Sequence, residues 1–600
     1  MKFEWQTNDA NPQLQEAAQA LAQELGMSPV IGQLLMRRGV TTSAEARRFF
    51  RPQLTELHDP FLYNDMDVAV ERLNQALGRK ERILVYGDYD VDGCTAVALV
   101  YKFLQQYSSN IDYYIPDRYE EGYGVSRRGI NYAAMTGVKL IIVLDCGIKA
   151  VDEIAYAKEQ GIDFIICDHH VPDDVLPPAV AILNAKRVDS TYPYPHLSGC
   201  GVGFKLMQAF AKSNGIDFAK LIPLLDLVAV SIASDIVPIL GENRILAYHG
   251  LRQLNSNPST GLKAIIDVCG LGERDLGIND ITFKIGPRIN ASGRVQNGRE
   301  AVDLLVEKDV EMARQLAEQI NDYNDQRKDL DKQMTEEANQ IVANLDAQHE
   351  KHSIVLFSNE WHKGVIGIVA SRLTEVYFRP SVVITMVDGV ATGSARSVPG
   401  FDIYKAIESC RDILENFGGH PYAAGLTMKV ERVKEFARRF NEYVEANISD
   451  NQTKPLLQVE ASLDFRDITR RLMNDLKRLS PFGPDNPRPL FITKNVCDYG
   501  TSRVVGRHQE HIRLELLDSA SGIVHSGIAF GQSSEARYIK SRHAFDIVYA
   551  IEENTHHRGE TQLQIEDIRP SDRWTATLRY SVRSGATMTF VASSATSSRA

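Results

Sequence analysis

Three carboxylates stand at alternate positions in Val85-Tyr86-Gly87-Asp88-Tyr89-Asp90-Val91-Asp92-Gly93, at the end of the apolar run RILVYG. In an extended segment alternate side chains share a face, so three like charges crowd and raise one another's pKa unless a cation neutralises them. A hard divalent metal is the economical remedy, although a calcium-like loop or a solvated turn has the same spacing. Two further apolar runs end in metal-ligating residues: VKLIIVLDCG in Asp145, and GIDFIICDHH in Asp168, His169 and His170. One helix-length segment separates them. A right-handed crossover therefore sets Asp145 and the histidines side by side at the carboxyl edge of a parallel sheet. Oxygen-rich ligands with one or two imidazoles suit Mn²⁺ or Mg²⁺ better than zinc or copper, against the bland alternative of structural histidines. Two such ions can drive phosphodiester hydrolysis by activating water, with no nucleophilic side chain. Cys94, Cys146 and Cys167 beside the motifs then read as small packing residues.

The elements that would position these groups follow from the pattern. From 59 to 250, short β-branched runs alternate with helical stretches, the mark of a doubly wound parallel sheet of an α/β domain. Residues 1–58 read as a helical N-terminal region and 251–350 as a helical linker. Its stretch from about 300 to 350 is one long, charged connecting helix without Gly or Pro. Residues 351–450 read as a smaller α/β domain, 455–570 as a C-terminal β-barrel, and 571–600 as a disordered tail or an artefact of the reading frame. The chain has 600 residues, 67 Lys plus Arg against 78 Asp plus Glu, and a net charge of −11, so a nucleic-acid surface must be a local basic patch. Seven dispersed cysteines without C-x-x-C fit a reducing cytoplasm. The apolar stretch 221–240 carries Asp226 and Asp235 and two prolines, which reads as a buried helix and turn, not a membrane span.

VYGDYDVDG, LDCG and CDHH resemble the first three motifs of the DHH phosphoesterase superfamily, and Asp235, after the buried 221–234 stretch, resembles the fourth. GSARS (393–397) and FGGHPYAAG (417–425) are similar to the associated DHHA1 substrate-binding domain, and the C-terminal β module resembles an OB-fold. The resemblance covers about residues 30–570 and implies the superfamily's exonucleases, which degrade single-stranded DNA from the 5′ end in repair and recombination. It implies two divalent ions, Mn²⁺ or Mg²⁺: Asp90 and Asp145 for one; Asp92, Asp145, His169 and Asp235 for the other, with Asp145 bridging and Asp88 as ligand or water-holder. His170 would contact the scissile phosphate or leaving oxygen, and Asp168 would orient the histidines. Tyr86 stands where many members carry a metal-binding histidine, which would throw the first ion onto Asp88.

For the substrate, the resemblance assigns a 5′-phosphate pocket to Arg118, Ser394 and Arg396, and close backbone approach to Gly418, Gly419 and His420. Arg288, Asn290 and Arg294 would line the strand's path, with pairing to the linker helix as an equal alternative for them. The family implies single-stranded DNA as partner, with a single-strand-binding protein and a helicase; a cytoplasmic, monomeric chain without membrane association is expected. Two other readings compete: a small-nucleotide phosphoesterase, disfavoured by the extra barrel, and a catalytically silent scaffold, disfavoured by the intact ligand set.

Overall fold

The computed structural model describes residues 3–7, 12–346, 352–541, 543–554 and 560–571. The 571–600 tail expected from composition lies, but for Ser571, outside the described residues. The chain forms two units: residues 52–453 with 481–487, and residues 1–51 with 454–480 and 488–600.

The first unit contains a five-stranded sheet of β1 (Arg82–Gly87), β2 (Ile111–Tyr114), β3 (Val138–Leu144), β4 (Asp163–Cys167) and β5 (Ala181–Leu183), in spatial order β2-β1-β3-β4-β5. Every pairing is parallel. The strands read as continuous apolar runs because both faces are covered. Ile83, Val85, Leu140, Ile142 and Ile165 point into one core, and Leu84, Tyr86, Ile141, Val143 and Phe164 into the other. Helices α1 (Val91–Leu104), α2 (Gly199–Ser213) and α3 (Leu225–Ser234) fill the first core. Each fully buried aliphatic side chain contributes about 1.5–3 kcal/mol. The expected doubly wound sheet is present, and its order reverses at β1/β3, where such sheets open a crevice for ligands. Stretch 221–240 is the buried α3 and its turn; Asp226 accepts hydrogen bonds from the Leu227 and Ser259 amides (2.7 and 2.8 Å). No described helix is long and apolar enough to cross a membrane.

The single connecting helix expected over 300–350 is two helices. Residues Arg299–Val306 form one, and after α4 (Gly286–Val295) and that helix, α5 spans Val310–Asp346. The break is chemical: Glu307 Oε1 accepts from the Lys308 and Asp309 amides, and Asp309 Oδ1 caps the Met312 amide at 2.8 Å. Ala313, Ala317 and Ile320 of α5 enter the core of the first sheet, whereas Met334, Ala338 and Val342 pack on the second domain. One rigid rod of about 55 Å is thus shared by both. That second domain holds a mixed sheet, not a wholly parallel one: β6 (Ile354–Phe357), β7 (Ser381–Val387), β8 (Val390–Arg396), β9 (Asn416–His420) and β10 (Ala423–Lys429) lie in the order β9-β10-β8-β7-β6. Only β6 and β7 pair in parallel. Helix α6 (Ile366–Tyr377) packs on it, tied to α5 by the Arg372–Asp331 ion pair at 2.7 Å.

In the second unit β11 (Phe491–Asp498), β12 (His511–Asp518), β13 (Val524–Ala529), β14 (Phe545–Glu553) and β15 (Thr561–Pro570) close into a barrel, β11 pairing with both β12 and β14. This is the expected OB-like module. The N-terminal region is not only helical: Glu4–Thr7 is a strand paired in parallel with Leu456–Val459, and it belongs to the barrel's unit. Trp5 Nε1 donates to Asp567 at 2.8 Å, and Arg38 forms a two-pronged ion pair with Glu460 at 2.7 and 3.0 Å.

Candidate active site

All seven expected metal and catalytic residues converge at the carboxyl ends of β1, β3 and β4. The three carboxylates of the first motif divide. Asp90 caps α1, its Oδ1 accepting from the Gly93 amide at 3.0 Å, so Asp92 lies in the helix's first turn and faces a different way from Asp88. Ligand atoms of Asp88, Asp90 and Asp145 lie within 4.8 Å of one another, as do those of Asp92, His169 and Asp235, and those of Asp145, His169 and His170. Asp145 thus shares a cluster with the first-motif carboxylates and another with the histidines, the position expected of a bridging ligand.

Asp145 follows β3 in the left-handed region, with φ 59°, a conformation that aspartate tolerates better than bulky residues. Its amide donates to Cys167 O at 2.9 Å, which ties the β3 and β4 ends together. Helix α2 begins against it. A Cβ at Gly199 would stand 2.5 Å from Asp145 Cβ, so glycine is required for that approach. The same helix start fixes Asp92: the Gly199 and Cys200 amides donate to it at 2.6 and 2.8 Å, and Ser231 Oγ from α3 at 2.6 Å. These donors escaped the sequence reading; Ser198 followed by Gly-Cys-Gly is the helix-start signal that marks them.

The electrostatics call for cations. Burial, then the neighbouring carboxylates, push the Asp88, Asp90, Asp145 and Asp235 carboxyls up. Burial holds the His169 imidazole down at about 4, so it is neutral at pH 7 and able to ligate. Asp88 Oδ1, Asp145 Oδ1 and His169 Nε2 are buried without hydrogen-bond partners, although the last two stand 3.1 Å apart. Three orphaned ligand atoms spread over clusters that share Asp145 fit divalent metal ions. His170 differs: burial would lower its pKa, but the hydrogen bond and charge of Asp168 outweigh it and raise it. Asp168 accepts from His170 Nδ1 at 2.8 Å and from the Ile148, His169 and His170 amides, and these partners, against burial, hold its carboxyl at about 2. It thus holds the His170 ring and the backbone amides of both histidines.

Tyr86 takes no part in the cluster. Its side chain points into the opposite core, where its hydroxyl donates to Gly124 O (2.9 Å) and accepts from the Ser126 amide (3.2 Å). It anchors the loop bearing Tyr123, whose hydroxyl lies 3.3 Å from His170 Nδ1 and donates to Asp145 O at 3.2 Å.

A cleft of about 860 Å³ opens beside His170 and is lined across from it by Gly418, Gly419 and His420 of β9. The two imidazole rings lie nearly parallel, 6.3 Å apart. A second cluster is cationic. Arg396 donates to Ser394 Oγ at 3.0 Å, Arg118 lies 4.7 Å above the Tyr89 ring, and Arg294 donates to Gly364 O at 2.9 Å. Burial, then Arg118, Arg327 and Arg396, push the Arg294 guanidinium down to about 9. Arg396 thus holds Ser394, Arg118 and Arg396 both repel the Arg294 guanidinium, and Arg327 of α5, which sequence reasoning missed, adds to that repulsion. Arg288 takes the alternative instead: it donates to Asn321 of α5 at 2.9 Å and to Lys284 O at 2.7 Å. Asn290 is half-buried on α4.

Residues 82–232 match the DHH family, N-terminal domain, 350–446 the DHHA1 domain, and 459–567 the RecJ OB domain. The chain is 35% identical over 574 residues to the single-stranded-DNA-specific exonuclease RecJ of Bacillus subtilis, spanning 95% of this chain and 71% of that one. It is 32% identical to its Haemophilus influenzae counterpart over 91% of this chain and 96% of that one. A crystal structure of Thermus thermophilus RecJ in complex with Mn²⁺ superposes with a TM-score of 0.81 at 25% identity, covering 96% of this chain and 81% of that one. With its three domains in this order and the Haemophilus influenzae relative matched over 96% of its length, the chain belongs to the RecJ family.

Proposed function

We propose that the chain is a metal-dependent exonuclease that hydrolyses single-stranded DNA from its 5′ end to mononucleotides. The observation that carries this reading is the pairing, within one unit, of a carboxylate–histidine cluster fit for cations with an arginine cluster fit for a phosphate. When bound, two divalent ions, Mn²⁺ or Mg²⁺, supply Lewis acidity toward a water and toward the leaving oxygen. Asp88, Asp90, Asp92, Asp145, His169 and Asp235 hold them.

The remaining residues position and protonate. His170 donates its Nδ1 proton to Asp168, which leaves Nε2 for a phosphate or leaving oxygen on the cleft side. Gly418 and Gly419 let the β9 backbone approach the strand, and His420 faces His170 across it. Arg118, Ser394 and Arg396, with Arg294 beside them, clamp the terminal phosphate; a charged hydrogen bond of this kind is worth about 1.5–3 kcal/mol. A pocket for the chain end gives the enzyme its polarity. The closed barrel supplies a strand-binding surface, with exposed Arg503 and Arg513 paired across adjacent strands. A cytoplasmic monomer assisted by a helicase and a single-strand-binding protein completes the reading, because an enzyme restricted to single strands needs its substrate exposed.

The decisive experiment is digestion of a 5′-phosphorylated, 3′-labelled single strand with Mn²⁺, Mg²⁺ or chelator. A metal-dependent ladder that shortens from the 5′ end is expected. Binding without cleavage under any metal would overturn the reading in favour of a silent scaffold.

A further inference from the structure

The seven residues Pro481–Pro487 leave the barrel's unit and belong to the catalytic unit. We propose that they form a strap that sets the position of Asp235; the inference rests on the reading of Asp235 as a metal ligand. The Ile239 amide donates to Pro484 O at 2.8 Å. Gly483 lies flat against the same residue: a Cβ there would stand 2.5 Å from Ile239 Cγ1, and Ile239 is fully buried. Arg244, itself buried, donates to Pro481 O at 3.3 Å. The strap is internally closed, with reciprocal backbone bonds between Gly483 and Asn486 (3.0 and 3.1 Å) and the fully buried Asn486 Nδ2 on Pro481 O at 2.8 Å. From the other side Tyr194 donates to Leu240 O at 2.7 Å.

Only three residues separate this anchor from Asp235, and none is free to absorb a shift. Pro238 has a fixed φ, Val237 is restricted as the residue before proline, and Ile236 sits at φ 58°, a strained conformation for a β-branched side chain. At the near end the Asp235 amide is held by Ser231 O at 2.9 Å. Strained backbone persists where its surroundings determine it from both sides, and here those sides are the end of α3 and the strap. Displacement of Ile239 therefore moves the Asp235 carboxylate, whose Oδ2 lies 3.6 Å from His169 Nε2. Gly483 and Ile239 act as positioning residues for the metal centre.

The test measures Mn²⁺ binding to the full chain by the electron paramagnetic resonance signal of the free ion, alongside nuclease rate and thermal unfolding. Gly483→Ala is expected to weaken binding about tenfold, as loss of support behind a ligand does, with the rate recovered at saturating Mn²⁺. Adding Ile239→Ala, which removes the clashing Cγ1, is expected to restore binding toward wild type. Should Gly483→Ala fail to fold, Ile239→Ala alone removes the gripped side chain and is expected to weaken binding in the same sense. Asp235→Asn is the reference: if it weakens Mn²⁺ binding while the strap variants keep the wild-type isotherm and only lower the melting temperature, the strap is overturned and the ligand assignment stands. If Asp235→Asn itself leaves binding unchanged, the ligand assignment fails and the strap proposal with it.

Discussion

The carboxylate cluster and the arginine cluster are built in opposite ways. The first gathers buried like charges from the ends of adjacent strands, so its members fall within short motifs after apolar runs. The second gathers guanidiniums from a loop after β2, from α4, from α5 and from β8, and no one of these segments announces the others. Each gathers like charges, negative in the first and positive in the second, and on the proposed reading each is relieved by its own ligand, cations for the first and a phosphorylated strand for the second. The comparison separates catalysis from selection. On the proposed reading the carboxylate cluster governs turnover, and the arginine cluster governs which end is chosen.

The sharpest way to break that division is Asp145→Ala. Loss of a residue shared by two clusters is expected to cost several kcal/mol of transition-state stabilisation, about a thousandfold in rate, while strand binding persists. Gel-resolved digestion and a binding assay read the two separately, and retained turnover would defeat the bridging role. Next, His170→Ala is expected to lower kcat about a hundredfold, the scale of one positioned proton donor, with metal binding intact. Arg396→Ala addresses the other cluster: the preference for 5′-phosphate over 5′-hydroxyl ends should fall about tenfold or more, with kcat on hydroxyl-ended strands little changed. An unchanged ratio would remove Arg396 from the pocket.

A pH series sharpens the contrast further. The raised Asp88, Asp145 and Asp235 carboxyls hold protons in mild acid that ordinary carboxylates have lost, and metal must displace them. Mn²⁺ affinity should therefore fall as pH falls, by about tenfold per unit for each proton displaced, as calorimetry at several pH values would show. His169, already neutral above about 4, should not set that profile. The smallest effect is expected from Arg288→Ala, about 1 kcal/mol of stability through its bonds to Asn321 and Lys284, with end selection unaltered.

The carboxylate site was legible because strand ends are local: an apolar run followed by Asp or Asp-His-His states both the element and the edge at which the side chain emerges. The split of Asp92 from Asp88 was not legible, because it depends on Asp90 ending the extended segment as a helix cap. Tyr86 was read as a departure from the ligand pattern, but its place in the opposite core, set by the period of β1, was not foreseen. Arg327 was hidden within a charged helix whose other cations face water or pair with neighbouring carboxylates, and its repulsion of Arg294 follows only from the packing of α5. The fold classes followed from pattern; the break at Glu307–Asp309 did not, since it rests on two side-chain caps in a stretch without Gly or Pro.

The strand Glu4–Thr7 pairs with Leu456–Val459, and Trp5 reaches Asp567. During synthesis Glu4–Thr7 therefore emerges long before Leu456–Val459 and Asp567 exist, and the catalytic unit is synthesised in between. The barrel's unit is assembled last, from the two extremes of the chain, and its loop closures span most of the polypeptide. Truncation of the C-terminal module would for this reason damage the N-terminus as well, leaving three short helices and an unpaired strand edge exposed to proteases and to aggregation.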